Sequence, residues 1–326
     1  MCTAFNAGRV STRWSFYCAT NATVDFIFSA SAQFFSLSIK AAGFTSLLSK
    51  PRLSFFSESK GAHNPQRSSA QKETKTNWYP GHLKEEETKI MAKDAIAVMD
   101  HLGWKKAHVV GHSMGAMIAC KLATTAPERV LSLALLNVTG GGYECIPKFD
   151  RQTLSIAMRF LKAKTPEQRA AVDLDTHYSK EYLEELVGQK TRRQSYTKEY
   201  VKGISATGMQ SSCGFDGQVN ACWTHKMSRT ETESIRVAGF PISVIHGRHD
   251  VIAQMCHAKR LAEKLYPCAR MVELNGGHLV SHERTEEVNE ALIELINASE
   301  NRINIYDWTN LSSKSSGTKE IGPALT

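Results

Sequence analysis

A serine flanked by glycines, between two apolar stretches, constrains this chain more than any other feature. Residues 107–110 predict a short buried strand that runs into a sharp turn at Ser113, and a helix is predicted from about Ala116. Gly111 and Gly115 stand two residues on either side of the serine, where side chains would collide because strand and helix nearly touch. The pattern G-x-S-x-G is typical of a nucleophile elbow, although an ordinary strand-to-helix turn can also carry it.

Two later stretches place an acid and an imidazole after buried strands. The stretch from Phe240 predicts a strand with Asp250 just past its C-terminal end. The stretch from Met271 predicts another strand, which ends in a Gly-Gly loop and His278. The chain order serine, aspartate, histidine is that of α/β-hydrolases and the reverse of the order in chymotrypsin-like proteins.

On these motifs, the stretch from about Thr88 to Ser299 resembles the α/β-hydrolase superfamily, and most closely its plant members of the esterase and lipase type. The resemblance implies an α/β fold, the α/β-hydrolase fold, with a mostly parallel sheet and a helical lid insertion. It also implies a serine hydrolase that cleaves a carboxylic ester or a related small acyl substrate. A serine at the elbow argues against the relatives that use a carboxylate nucleophile.

The resemblance assigns a role to each of four residues. Ser113 is expected to attack the carbonyl, and His278 to take and return the proton. Asp250 is expected to hold the imidazole in the required tautomer. The backbone N–H of Met114, the residue after the nucleophile, is expected to contribute to the oxyanion hole.

Other polar residues near these positions compete for the same roles, and they are His112, His249, His282 and Asn137. His282 is expected at the approach to a helix, whereas the Gly-Gly pair before His278 favours His278 as the residue of a mobile loop. His249, beside Asp250, is expected to face solvent. His112, inside the elbow, is expected to support the backbone. Asparagine cannot ionise, which leaves Asp250 as the acid.

The part of the chain that resembles a hydrolase spans residues 88–299 and contains one long insertion. Residues 143–238 show no strong strand pattern and predict short helices. Because the insertion joins the C-terminal ends of strands, where ligands bind in open α/β sheets, a lid is expected there. A packing appendage without substrate contacts is the alternative. Residues 300–326 are polar and predict a flexible tail.

Residues 1–87 predict a divergent segment that is either disordered or transit-peptide-like. Ser, Thr, Phe and basic residues dominate the first seventy positions, whose acids are Asp25 and Glu58. That balance is typical of a transit peptide and favours the chloroplast, whereas the placement of the cysteines favours a reducing compartment such as the cytoplasm. The sequence leaves the choice between the two compartments open. The uncharged stretch 26–39 is too short and too rich in serine to span a membrane.

The region before the elbow also departs from the family pattern. Family members carry several strands there, one followed by a His-Gly loop that supplies the second oxyanion donor, whereas Gly81-His82 has the reverse order and follows a proline. The strand-like stretches upstream, 15–18, 24–28 and 34–39, are short and interrupted by serines. The N-terminal strands of the fold are therefore not identifiable, and this part of the fold is expected to be missing or replaced. Without paired strands the elbow strand would be an exposed edge, and a lost oxyanion donor costs about 2.7–4 kcal/mol. A catalytically impaired isoform or a non-catalytic ligand-binding relative is therefore the alternative function.

The composition predicts neither a cofactor nor a metal. The eight cysteines are scattered, without a C-x-x-C or a Cys/His ligand spacing. The net charge is +8, but Lys and Arg are dispersed, and the short basic stretch 190–193 is expected at a solvated helix end. We therefore expect a small-molecule acyl substrate, no nucleic-acid partner and no integral membrane segment. The sequence leaves the oligomeric state open.

Overall fold

The computed structural model describes residues 15–20, 23–30, 33–41, 86–207 and 212–310. The strands of these ranges are β1 (Ser15–Thr20), β2 (Thr23–Ala30), β3 (Gln33–Ala41), β4 (Ala107–His112), β5 (Val130–Leu136), β6 (Leu186–Val187), β7 (Lys190–Thr191), β8 (Ile242–Gly247) and β9 (Ala269–Leu274). The helices are α1 (Glu87–His101), α2 (Met114–Thr125), α3 (Arg151–Lys162), α4 (Pro166–His177), α5 (Lys180–Glu184), α6 (Arg192–Thr207), α7 (Ser212–Thr224), α8 (Arg229–Ala238), α9 (Met255–Lys264), α10 (Val280–Glu283), α11 (Thr285–Glu300) and α12 (Ile305–Asn310).

Within the described ranges, seven strands form one sheet in the order β1-β2-β3-β4-β5-β8-β9. The neighbours from β4 to β9 are parallel, whereas β1, β2 and β3 form an antiparallel meander that pairs antiparallel with β4. The short strands β6 and β7 pair separately. Because the four parallel strands run in one direction, the loops that follow them meet at one edge of the sheet.

Helices cover both faces of the parallel strands, which explains why these strands are almost entirely apolar. Side chains alternate along β5: Leu133 and Leu135 join the apolar cluster that includes α1, α2, α8 and α9. Ala134 and Leu136 join the opposite cluster, which includes α11 and α12. Strand β8 is buried along its whole length. This two-sided burial fixes where each parallel strand ends, and therefore where the following loop begins.

The upstream edge of the elbow strand is paired. Residues 36–41 of β3 lie opposite residues 107–112 of β4, so β4 is not the exposed edge considered above. The strand-like stretches found upstream in the sequence coincide with β1, β2 and β3. Gly81-His82 and the rest of residues 42–85 lie outside the described residues, and the division of residues 1–87 as a separate segment stays a prediction.

The structure differs from the expected flexible tail at residues 305–310, which form α12. The Trp308 side chain is fully buried, and its Nε1–H donates to the Ile242 carbonyl oxygen at 3.0 Å. The Arg270 guanidinium lies 4.3 Å from the centre of the indole ring. One buried aromatic side chain therefore docks an otherwise polar segment onto the sheet. Residues 311–326 lie outside the described part.

The insertion between β5 and β8 is mostly helical. Helices α3 to α8 lie within residues 143–238, where the sequence predicts short helices, and the β6–β7 hairpin lies between α5 and α6. None of the helices in the described part of the chain is long and apolar enough to cross a membrane.

Candidate active site

The backbone at the elbow is strained and tightly packed. Ser113 has φ 54° and ψ −122°, a conformation that L-residues rarely adopt. A Cβ at Gly111 would lie 2.4 Å from the Gly115 carbonyl oxygen and 2.6 Å from Ala116 Cα, so only glycine fits at that position. The packing of β4 against α2 therefore holds the serine in this conformation.

The structure brings the hydroxyl, the imidazole and the carboxylate together at the edge where the parallel strands end. Ser113 Oγ lies 2.9 Å from His278 Nε2, and Asp250 Oδ2 lies 2.8 Å from His278 Nδ1. All three side chains are buried. Because an ionised carboxylate only accepts hydrogen bonds, Nδ1 carries the proton, and Nε2 is left to accept the serine hydroxyl proton.

Several donors keep the Asp250 carboxylate charged. Two backbone N–H groups of the following turn donate to Oδ1, at 2.8 and 2.9 Å. Asn137 Nδ2 donates to Oδ2 at 2.6 Å. Burial alone would raise the pKa of Asp250, but the His278 ring and the other hydrogen-bond donors outweigh burial and lower the pKa to about 2. Asp250 is therefore ionised at neutral pH.

Asn137 stands beside the acid and does not replace it. It directly follows β5, has φ 48°, and also lies 3.3 Å from the Gly277 carbonyl oxygen through Nδ2. Its amide thus bridges the carboxylate of Asp250 and the loop that carries His278. A polar residue directly after an apolar core strand is the sequence signal that could have indicated this bridging position.

The other histidines surround the site in supporting positions. His112 Nε2–H donates to the His278 carbonyl oxygen at 2.8 Å, which agrees with the expected support of the backbone. His282 Nδ1 lies 2.9 Å from the Tyr178 hydroxyl in the insertion. His249 is exposed, and its ring contacts an asparagine side chain of the neighbouring loop. Neither His249 nor His282 is bonded to the serine in the described contacts.

Met114 is the first residue of α2. The first N–H groups of a helix have no partner within the helix, and the helix dipole favours negative charge at that end. The backbone N–H of Met114 therefore adjoins the serine at the end of the helix that stabilises an oxyanion. Its catalytic role stays a prediction. The sequence before the elbow contains no His-Gly loop of the family type for a second donor, and Gly81-His82, which has the reverse order, lies outside the described residues.

The helical insertion reaches the candidate base through His177, the last residue of α4. The His177 ring is buried and lies 5.9 Å, centre to centre, from the His278 ring. His177 Nδ1–H donates to the Asp173 carbonyl oxygen at 2.7 Å. Burial, reinforced by the His278 ring, lowers the pKa of His177, so this ring is neutral at neutral pH. Sequence reasoning missed His177, because no spacing relates it to the loop after β9.

Groups of three or more His, Cys, Asp or Glu side chains arranged to hold a metal ion do not occur among the described residues.

Comparisons with known proteins agree on the architecture. A family model described as the α/β hydrolase fold matches residues 56–285. The chain is 27% identical over 206 residues to RutD of Azorhizobium caulinodans, a protein named as a carbamate hydrolase, covering 62% of this chain and 71% of that protein. It is 25% identical over 224 residues to the dihydrolipoyllysine-residue acetyltransferase component of the acetoin cleaving system of Pseudomonas putida, covering 67% of this chain and 54% of that protein. The chain thus spans about half the length of the second relative.

A solved structure has a similar fold. The meta-cleavage product hydrolase of Pseudomonas fluorescens IP01 superposes with a TM-score of 0.50 at 20% identity. The match covers 68% of this chain and 75% of that one.

Proposed function

Because the chain belongs to the α/β-hydrolase fold family, we propose that it is a serine hydrolase that cleaves a carboxylic ester or a related small acyl substrate. The observation that carries the proposal is the continuous hydrogen-bonded array of Ser113, His278 and Asp250. A carbamate, the substrate class in the name of one relative, is such a related acyl compound. The likeness to plant esterases and lipases rests on sequence motifs and stays a prediction.

The first half of the reaction forms an acyl-enzyme. Ser113 Oγ attacks the carbonyl carbon of the substrate while its proton moves to His278 Nε2. The carbonyl π electrons move to the oxygen, and the Met114 N–H donates a hydrogen bond to this oxyanion. When the intermediate collapses, the bond to the leaving group breaks, and His278 returns the proton to the departing oxygen or nitrogen.

The second half regenerates the enzyme. His278 takes a proton from water, the resulting hydroxide equivalent attacks the acyl carbon, and the bond to Ser113 breaks as the serine recovers its proton. One ester and one water become one acid and one alcohol. Asp250 remains ionised throughout, because its lowered pKa keeps its proton off at neutral pH, and it stabilises the imidazolium that forms twice in the cycle.

A fluorophosphonate probe and p-nitrophenyl acetate test this proposal. We expect the wild-type protein to be labelled, and Ser113→Ala to lose labelling and to lower kcat by about 10⁶-fold. Asp250→Asn should lower kcat by about 10⁴-fold, since the imidazole loses its tautomer control. Ser155→Ala, at an exposed serine of α3, is the control and should behave as wild type.

Two outcomes would contradict the proposal. One is a folded wild-type protein that resists labelling, which would favour the catalytically impaired or non-catalytic ligand-binding alternative. The other is labelling or ester cleavage that survives in Ser113→Ala, which would place the nucleophile elsewhere.

A further inference from the structure

A buried carboxylate that the mechanism does not use lies close to the candidate base. The Glu283 side chain in α10 is 8% exposed. Its Oε1 accepts hydrogen bonds from the backbone N–H groups of Gly277 and Ser179, both at 2.8 Å. Its Oε2 accepts from Ser179 Oγ at 2.5 Å. A buried carboxylate is costly unless hydrogen bonds satisfy its oxygens, so these three charge-assisted bonds specify the position of Glu283.

The three donors come from two different parts of the molecule. Gly277 directly precedes His278 in the loop after β9, whereas Ser179 lies between α4 and α5 in the insertion. The insertion also holds the residue after His278, because the Leu279 N–H donates to the His177 carbonyl oxygen at 2.9 Å. The insertion therefore anchors the backbone on both sides of the imidazole, on one side through Glu283.

The insertion packs closely against the loop after β9 at Gly277. A Cβ at Gly277 would lie 2.9 Å from Glu283 Oε1, from the His177 carbonyl oxygen and from the Ser179 nitrogen. The His278 ring must lie within hydrogen-bonding distance of an acid on one side and a hydroxyl on the other. A misplacement of about 1 Å in such an arrangement can cost on the order of 10²-fold in rate.

We infer that Glu283 is a positioning residue that holds His278 between Asp250 and Ser113 and couples the insertion to it. This inference rests on the proposed function and deepens it. Glu283 acts through the backbone at Gly277 and touches neither the substrate nor the reacting atoms. The base is then fully placed only when the segment around Ser179 is docked.

Three variants separate the parts of this arrangement. Glu283→Ala removes all three bonds. Glu283→Gln keeps one carbonyl oxygen for the two backbone donors and lacks the charge. Ser179→Ala removes only the hydroxyl bond on the insertion side. Glu286→Gln, at an exposed glutamate of α11, is the control.

Turnover of p-nitrophenyl acetate, calculated per labelled active site, is the first readout. We expect Glu283→Ala to lower kcat by about 10²-fold with little change in KM, and to slow fluorophosphonate labelling in the same proportion. Glu283→Gln should recover most of that loss, and Ser179→Ala should lower kcat by less than about 10-fold, because two of the three bonds remain. The control should match wild type.

The proton NMR signal of His278 Nδ1–H, identified by its disappearance in Asp250→Asn, is the second readout. It should shift or broaden in Glu283→Ala and recover in Glu283→Gln. This readout needs no turnover, so it decides the inference even if the wild-type protein is not labelled and the proposed function fails.

Thermal unfolding identifies which variants are folded. A folded Glu283→Ala protein with wild-type kcat per labelled site and an unchanged NMR signal would overturn the inference while leaving the proposed function intact. If Glu283→Ala does not fold, Glu283→Gln and Ser179→Ala decide: a reduced kcat in Ser179→Ala, together with a displaced ring signal, supports the inference, and wild-type behaviour in both overturns it.

Discussion

The parallel part of the sheet and the helical insertion are held together by different forces. In β5 and β8, side chains such as Leu133 and Val244 are fully buried between covering helices. Every residue of α3, by contrast, is at least partly exposed, and Phe149 and Leu161 are 95% and 77% exposed. Burial of apolar area is therefore the main stabilising contribution in the sheet and a small one in α3.

Within the insertion, ion pairs connect α4 to α3 and to α6. Asp175 of α4 accepts from Arg159 of α3 at 2.5 Å and from Arg193 of α6 at 2.6 Å. Partly exposed pairs of this kind contribute roughly 0–1 kcal/mol each. The packed sheet thus positions the loops that carry Ser113, Asp250 and His278, whereas α3 is held more by ion pairs at the surface.

Replacing one glycine of each region by alanine should change the free energy of unfolding in opposite directions. The change at Gly111 is the largest effect that we expect. A Cβ at Gly111 would meet backbone atoms at 2.4–2.7 Å, so Gly111→Ala should lower the free energy of unfolding by about 3 kcal/mol. A Cβ at Gly217, in α7, finds open space among the described residues. Gly217→Ala should therefore raise the free energy of unfolding by about 0.5–1 kcal/mol, because alanine loses less conformational freedom on folding than glycine does. Urea unfolding measures both.

Equal effects of the two substitutions would show that the contrast between the regions is not one of packing. A Gly111→Ala protein that keeps wild-type stability would mean that β4 and α2 can separate at the elbow without cost.

The sheet was the more predictable region, and the α/β-hydrolase fold expected from the sequence is confirmed. The expected strand start at Ala107 coincides with that of β4, because a strand buried on both faces leaves an uninterrupted apolar run. The expected strand 107–110 extends in the structure to His112. His112 lies inside the elbow motif, where the sequence pattern predicts a turn, although in the structure it ends the strand and is buried.

Contacts between distant segments were the part that sequence reasoning could not reach. Trp308 and Glu283 stand in polar stretches, and their burial depends on partners more than sixty residues away. The same holds for His177 beside His278. For Ser113, Asp250 and His278, by contrast, the order of motifs along the chain was enough to predict that they meet, although their roles stay predictions.

Low pH should destabilise the contact between the insertion and the segment after β9, where the His282 ring lies against the Tyr178 hydroxyl. Burial, with a contribution from His177, lowers the pKa of His282 from 6.5 to about 4. Because the unfolded state binds this proton first, the stabilisation is complete above about pH 6.5 and is lost as the pH falls toward about 4. One such proton gives a slope of at most about 1.4 kcal/mol per pH unit. In His282→Gln, the amide oxygen can accept a hydrogen bond from the Tyr178 hydroxyl. The unfolding midpoint of this variant should vary less with pH across this range than that of the wild-type protein.

His249→Gln is the matched control, since His249 is exposed, and it should leave the pH dependence as in wild type. The buried ring of His177, whose pKa is also lowered, contributes with the same sign, so some slope should remain in His282→Gln. A wild-type slope in His282→Gln would place the acid sensitivity away from this contact.

The ion pairs of the insertion should give the smallest effect. Asp175→Asn removes the carboxylate shared by Arg159 and Arg193, and we expect a loss of less than about 1 kcal/mol in the free energy of unfolding. The loss should shrink at about 1 M salt, where charges are screened within about 3 Å. Glu233→Gln, which removes an exposed pair with Arg236 within α8, is the control and should change stability still less. A loss that exceeds this range and does not depend on salt would mean that the insertion is packed as firmly as the sheet, and the contrast between the two regions would then be wrong.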